Sequence, residues 1–160
     1  MTERALDFAF ARVPSVDRSL RPKLLEAYFK LDAFPDARAA LEAIKSQGGR
    51  AAILSNGSPR MLSAAVEASG IAATLDAVLS IDSVRMYKPR PEAYALVTEA
   101  LTVKPHDVVF VSSNRWDVMG AASFGFKTLW VNRAGVPDEY ADFPPLREIS
   151  NLAALASVAV

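Results

Sequence analysis

Four short apolar runs constrain this chain more than any other feature: Ala51-Ala52-Ile53-Leu54, residues 77–81, residues 108–111 and residues 128–131. None alternates polar with apolar side chains, as a strand with one wet face would. Continuous apolar runs are expected of strands buried on both faces. The stretches between them carry helical punctuation. Ser58-Pro59 reads as an N-cap followed by proline at the first helical position, and Gly70 closes that helix. Residues 91–101 form a second predicted helix, and residues 116–124 a third that ends at Gly125. Four buried strands alternating with helices predict an α/β fold, a parallel sheet covered by helices on both faces.

Upstream of the first strand the pattern is helical only. Residues 2–12 read as one helix and residues 21–31 as another, with Pro22 tolerated in its first turn. Phe34-Pro35-Asp36 opens a third that Gly48-Gly49 ends. Downstream of the last strand, residues 138–145 read as loop and 151–158 as a short helix. The 160 residues are 51% hydrophobic, enough for one core.

Charge and cysteine content exclude several kinds of function. Eighteen basic residues balance eighteen acidic ones, so no field is available to track phosphates and no nucleic-acid partner is expected. The absence of cysteine removes disulfides, thiol nucleophiles and cysteine-ligated metals. The first residues lack a secretory h-region, and no apolar run approaches the roughly 20 residues needed to cross a bilayer. A cytoplasmic protein without a membrane partner is the expectation.

Polar residues gather at the C-terminal ends of the predicted strands, where ligands bind in open parallel sheets. Ser55 and Asn56 leave the first strand just before a helix N-terminus, whose N–H groups can hold an anion; the plainer reading is a turn and cap. Lys88 precedes Pro89 and a helix, so its backbone is restricted and its charge is placed. A solvated surface lysine is the plainer alternative. Tyr94 falls in the first turns of that helix, as part of the cleft or as packed aromatic. Ser112-Ser113-Asn114-Arg115-Trp116-Asp117 turns from the third strand into a helix, with Asp117 near the positive end of the macrodipole. Trp116 is either core or cleft wall.

In order and spacing these clusters resemble the second, third and fourth motifs of the haloacid dehalogenase (HAD) superfamily. Leu-Ser-Asn-Gly-Ser at 54–58, Tyr-Lys-Pro at 87–89 with Tyr94, and Val-Ser-Ser-Asn-x-Trp-Asp at 111–117 look like the L-2-haloacid dehalogenases in particular. Phe124-Gly125-Phe126 and Trp130-Val131-Asn132-Arg133 continue the likeness. The resemblance implies a HAD-like core over residues 34–160, with residues 1–33 as the remnant of a helical cap. It implies hydrolysis of short-chain L-2-haloacids to 2-hydroxy acids through an aspartyl ester, without cofactor. Lys88 would pair with the nucleophilic aspartate, and Asp117 with Asn114 would position or activate the water. Ser112 would join the carboxylate network, Ser55 and Asn56 would hold the substrate carboxylate or the halide, and Tyr94 and Trp116 would line the pocket. Superfamily phosphatases usually carry Gly-Asp where Ser112-Ser113 stands, which leaves Asp117 as a poor Mg²⁺ site; no metal is expected.

The first HAD motif, an Asp-x-Tyr-Gly-Thr-like strand end, is not among these residues, nor is the cap arginine that helps bind halide. Asp7 follows no apolar β-run and precedes no Gly-Thr, so it is not read as the nucleophile. The chain taken alone is therefore expected to be inactive. The alternatives are a non-catalytic HAD-like binding or interaction module and, less favoured, a HAD phosphatase. In the HAD fold the first strand lies between the 51–54 and 108–111 strands. Without it, two apolar edges would be exposed. The expectation is that these strands pair directly or that a homodimer fills the gap.

Overall fold

The computed structural model describes residues 2–157 of the chain. Its elements are α1 (Thr2–Arg12), α2 (Arg21–Ala27), α3 (Ala37–Ser46), β1 (Ala52–Ser55), α4 (Pro59–Ser69), β2 (Ala77–Ser80), α5 (Pro91–Leu101), β3 (Val109–Ser112), α6 (Arg115–Phe124), β4 (Lys127–Val131) and β5 (Arg147–Ile149). Short 3₁₀ turns link several of them. The punctuation read from the sequence marks the helices well. Ser58 caps α4 through a bond accepted from the Met61 N–H, and Gly70 ends that helix in the left-handed conformation. Gly125 does the same for α6.

Three expectations need correction. The second helix stops at Ala27, four residues short of 31, and gives way to turns. A fifth strand, β5, follows the 138–145 loop. The segment expected as a helix over 151–158 is a 3₁₀ stretch from Leu152 to Ser157, and Val158 lies outside the described residues.

The sheet is parallel throughout but comes in two pieces. β1 pairs with β2, with Ile53 opposite Val78, and β3, β4 and β5 follow in that order, with Val111 opposite Leu129. β1 and β3 do not pair with each other, so of the two outcomes expected from the sequence, direct pairing or a homodimer, direct pairing does not occur. The helices explain why. α5 packs on β1 and β2, α6 packs on β3 and β4, and α5 packs against α6. Tyr94 of α5 sits among Ala121, Phe126, Leu54 and Phe110, so β1 and β3 both rest on one aromatic core. The Lys88 ammonium reaches the Leu54 carbonyl of β1 and also lies over the Phe110 ring of β3. Paired strands run about 4.8 Å apart, and closing to that distance would expel this side chain and shear α5 from α6. Burial follows the same split. In β4, residues Thr128 to Val131 are buried, whereas every residue of β1 and β3 is only half-buried.

Asp36 joins the start of α3 to the far end of the chain. Its carboxylate accepts two bonds from Arg133 and one from the Leu152 N–H, and the guanidinium stacks on Phe34. The Arg133 bond holds the Asp36 carboxyl below its ordinary value of 3.8. A depressed carboxyl stabilises the fold above its unfolded pKa, and that contribution vanishes as pH falls through the folded value. The stability advantage of the parent chain over Asp36→Asn is therefore expected to be constant near neutrality. It should shrink below about pH 4, as read by denaturant melts across pH. An advantage that grew in acid would contradict this linkage.

Candidate active site

The turn after β1 builds the first wall. Ser55 Oγ accepts the Gly57 N–H at 3.0 Å, and Ser80 Oγ donates to the Gly57 carbonyl at 2.7 Å, so the ends of β1 and β2 are laced together. Asn56 reaches across to the next loop, where its Oδ1 accepts the Lys88 backbone N–H at 3.1 Å. That bond fixes where the lysine leaves the chain.

Lys88 then turns inward. Its side chain is 10% exposed, and its Nζ donates to Asp117 Oδ2 at 2.7 Å and to the Leu54 carbonyl at 3.2 Å. Asp117 is in the first turn of α6 with its side chain 3% exposed, favoured there by the helix dipole. Besides Lys88 it accepts Ser112 Oγ on Oδ2 at 3.2 Å and the Tyr94 hydroxyl on Oδ1 at 2.8 Å. Ser112 Oγ in turn accepts the Asn114 N–H at 3.2 Å. Three donors on one buried carboxylate satisfy most of its lone pairs, the condition for burying a charge at tolerable cost.

Tyr94 is fully buried among Phe110, Phe124 and Phe126. Burial raises its pKa far above that of a free phenol, and the Asp117 charge adds to the effect. The hydroxyl therefore stays protonated and serves as a fixed donor to Asp117. Asn114 is exposed and makes no side-chain cap bond on α6, while Trp116 is half-buried beside it. Asp7 lies on the outer helix α1, exposed and held by Arg21, which lowers its pKa.

Lys88, Asp117, Ser112 and Tyr94 thus form one hydrogen-bonded unit. Asn56 is tied to it through the Lys88 backbone and Asn114 through its own N–H. Ser55 braces its own turn, and Trp116 is placed by position alone. Sequence reasoning missed three participants: the Leu54 carbonyl, the Phe110 ring beneath Lys88, and Gly120. A Cβ on Gly120 would lie 2.5 Å from Pro89 Cβ and 2.6 Å from the Tyr94 hydroxyl. A lone glycine inside a helical pattern is itself a signal of close approach. Among the described residues no group of three or more His, Cys, Asp or Glu could hold a metal ion. Both Asp117 oxygens are already taken by donors, which does not suit a hard cation. No described helix is long and apolar enough to cross a membrane.

A parallel α/β sheet carrying a Lys–Asp pair and serine-bearing turns at its strand ends defines a HAD-like hydrolase core, and comparison with known proteins agrees. The model of haloacid dehalogenase-like hydrolases matches residues 9–125. The (S)-2-haloacid dehalogenase 1 of Pseudomonas sp. (strain CBS-3) is 42% identical over 156 residues, 97% of this chain and 69% of that protein. The (S)-2-haloacid dehalogenase 4A of Burkholderia cepacia is 46% identical over 94% of this chain and 65% of its own length. A solved L-2-haloacid dehalogenase from Xanthobacter autotrophicus, with chloropropionic acid covalently bound, superposes with a TM-score of 0.86 at 34% identity. It matches 98% of this chain and 73% of that one. The chain belongs to the L-2-haloacid dehalogenase family of the HAD superfamily, and it spans about two thirds of the length of these curated relatives.

Proposed function

We propose that this site serves hydrolytic dehalogenation of short-chain L-2-haloacids to 2-hydroxy acids through an aspartyl-ester intermediate. The reading rests on the buried Lys88–Asp117 pair, set at the ends of two strands that do not pair with each other. A carboxylate would attack the halogen-bearing carbon; the carbon–halogen bond breaks with its electron pair leaving as halide, and an ester forms. Water then adds to the ester carbonyl, releasing the 2-hydroxy acid and a proton and restoring the carboxylate. In this scheme Lys88 neutralises the nucleophile, and Asp117 with Asn114 orients and activates the water. Ser112 holds Asp117. Ser55 and Asn56 receive the substrate carboxylate or the halide; Asn56 already accepts through Oδ1, so its amide nitrogen is the end left to donate. Trp116 walls the pocket. Tyr94, being fully enclosed, is assigned to orienting Asp117 and not to touching substrate.

Among the described residues, the carboxylate bonded to Lys88 is Asp117, which the scheme needs for the water. The nucleophile is therefore assigned to a further strand lying between β1 and β3. Residues 1–33, with Phe8, Leu20, Leu24 and Tyr28 exposed, are assigned to a helical cap. On this reading the 160-residue chain alone turns over no substrate. A form of the protein that includes such a strand should release chloride from L-2-chloropropionate. Chloride released beyond one equivalent by the 160-residue chain itself would refute the assignment. Binding of 2-chloropropionate without release by either form would favour a non-catalytic module. A homodimer in which a second copy supplies the strand is the other way to fill the gap, and light scattering on the purified chain distinguishes the two.

A further inference from the structure

Arg115 is the one residue between Asn114 and Asp117, apart from Trp116, and the dehalogenase scheme gives it no work. It is the first residue of α6, and its side chain is 4% exposed. Its Nη2 donates to Asp138 Oδ2 at 3.1 Å and to the carbonyls of Tyr140 and Phe143, each at 2.7 Å. Its Nε lies 2.6 Å from Asp138 Oδ1. The guanidinium also lies 5.7 Å from the ring centres of both Trp130 and Tyr140. Trp130, fixed in β4, donates its indole N–H to the Ser113 carbonyl at 3.3 Å.

We propose that Arg115 is a positioning residue whose guanidinium latches residues 138–143 across the first turn of α6 and so fixes the Ser112–Asp117 turn, given the site assignment above. Residues 138–143 belong to no sheet ladder, and the Arg115 side chain bonds three of them. Packing alone does not account for an arginine here. Its Nη1 is buried without a hydrogen bond, and a buried ion pair contributes little net stability because desolvation offsets the attraction. What the guanidinium provides is geometry: Nη2 meets Asp138 Oδ2 and two carbonyls while Nε stands beside Asp138 Oδ1, all on one rigid planar group. The turn that carries Asn114 and Asp117 is thereby held from two sides, by Trp130 through Ser113 and by the strap through Arg115. A lysine would lose the Nε contact to Asp138 and the planar face set near the Trp130 and Tyr140 rings.

Two readouts test the latch separately from the reaction. In the 160-residue chain, which has two tryptophans, heteronuclear NMR resolves the Trp130 indole N–H. Arg115→Gln and Arg115→Lys are both expected to speed its hydrogen exchange about tenfold or more, together with the amides of Asn114 to Asp117. In the enzyme that releases halide, the same variants should lower kcat about a hundredfold with KM changed less than about threefold. Unchanged exchange at Trp130 and at the 114–117 amides overturns the proposal, as does a loss confined to KM or to melting temperature. If Arg115→Gln does not fold, Asp138→Asn, which keeps the shape and removes the charge, decides by the same two criteria. If the parent enzyme releases no halide, the dehalogenase reading fails while the exchange experiment still decides the latch.

Discussion

Asp117→Asn and Lys88→Ala, each made in the enzyme that releases halide, are expected to lower chloride release from L-2-chloropropionate by about a thousandfold. The two residues enter the same site from different loops and meet at 2.7 Å in a nearly water-free place. Charged groups in such a site act without the screening that water would impose. Asparagine keeps the shape of Asp117 but accepts on one oxygen only, so it loses either the Tyr94 bond or the Ser112 bond, and it leaves the Lys88 ammonium without a counter-charge. Removing one member of a buried pair also destabilises by about 3–5 kcal/mol, so a melting curve must accompany each assay. Tyr94→Phe separates the two effects. It deletes a single donor to Asp117 and keeps the aromatic packing, and it should cost about 1–3 kcal/mol of stability with an intermediate loss of rate. Near-parental rates for Asp117→Asn or Lys88→Ala in a folded protein would return that residue to a purely structural role.

How far the fold was legible depended on where the signal lay. Strands written as unbroken apolar runs, and helices closed by Gly70 and Gly125, declare themselves locally, and those elements appear within a residue or two of expectation. β5 was invisible because only Ile149 of its three residues is buried. Such a strand exists through pairing with β4, a tertiary effect that no local pattern encodes. The second helix overran for the opposite reason: helical spacing continued to Leu31, while the chain leaves the helix after Ala27. The split sheet was foreseeable only in part. The sequence pointed to two apolar edges, to be closed by direct pairing or by a second copy. In the structure β1 and β3 stand unpaired with each other, and Lys88 reaches Leu54 of one and the Phe110 ring of the other.

The hydrogen-bonded unit was legible where a polar residue follows a strand, as for Ser112 and Asp117, and where a proline restricts the loop, as for Lys88. It was not legible where a contact runs through backbone or through absence of a side chain. The Leu54 carbonyl belongs to an ordinary apolar residue, and nothing in its identity marks it as a lysine acceptor. Tyr94 could be counted as cleft or as core from spacing alone. In the structure it is buried, with its hydroxyl donating to Asp117.

Gly120→Ala carries the sharpest test of that last kind, because its sign reverses the usual rule. In an unconstrained helix interior this change favours folding by about 1 kcal/mol. Here the new Cβ would stand 2.5 Å from Pro89 Cβ, 2.6 Å from the Tyr94 hydroxyl and 3.3 Å from Pro89 Cα. Neither neighbour can yield cheaply. The proline ring is part of the loop that aims Lys88, and Tyr94 is clamped by three phenylalanines. Overpacking of this kind costs about 1–3 kcal/mol, which for a chain of this size lowers the melting temperature by about 3–10 °C. The strain is relieved by pushing α5 and the Lys88 loop away from α6, which lengthens the bonds that Tyr94 and Lys88 make to Asp117. A displacement of even about 1 Å at those groups should reduce halide release by about a hundredfold. Ser123→Ala, an exposed position on the same helix, serves as the control and should stay within about 0.5 kcal/mol of the parent. A Gly120→Ala protein that melts at or above the parent temperature would mean that α6 does not approach Pro89 and Tyr94 as closely as described, and the account of how Asp117 is held would fall with it.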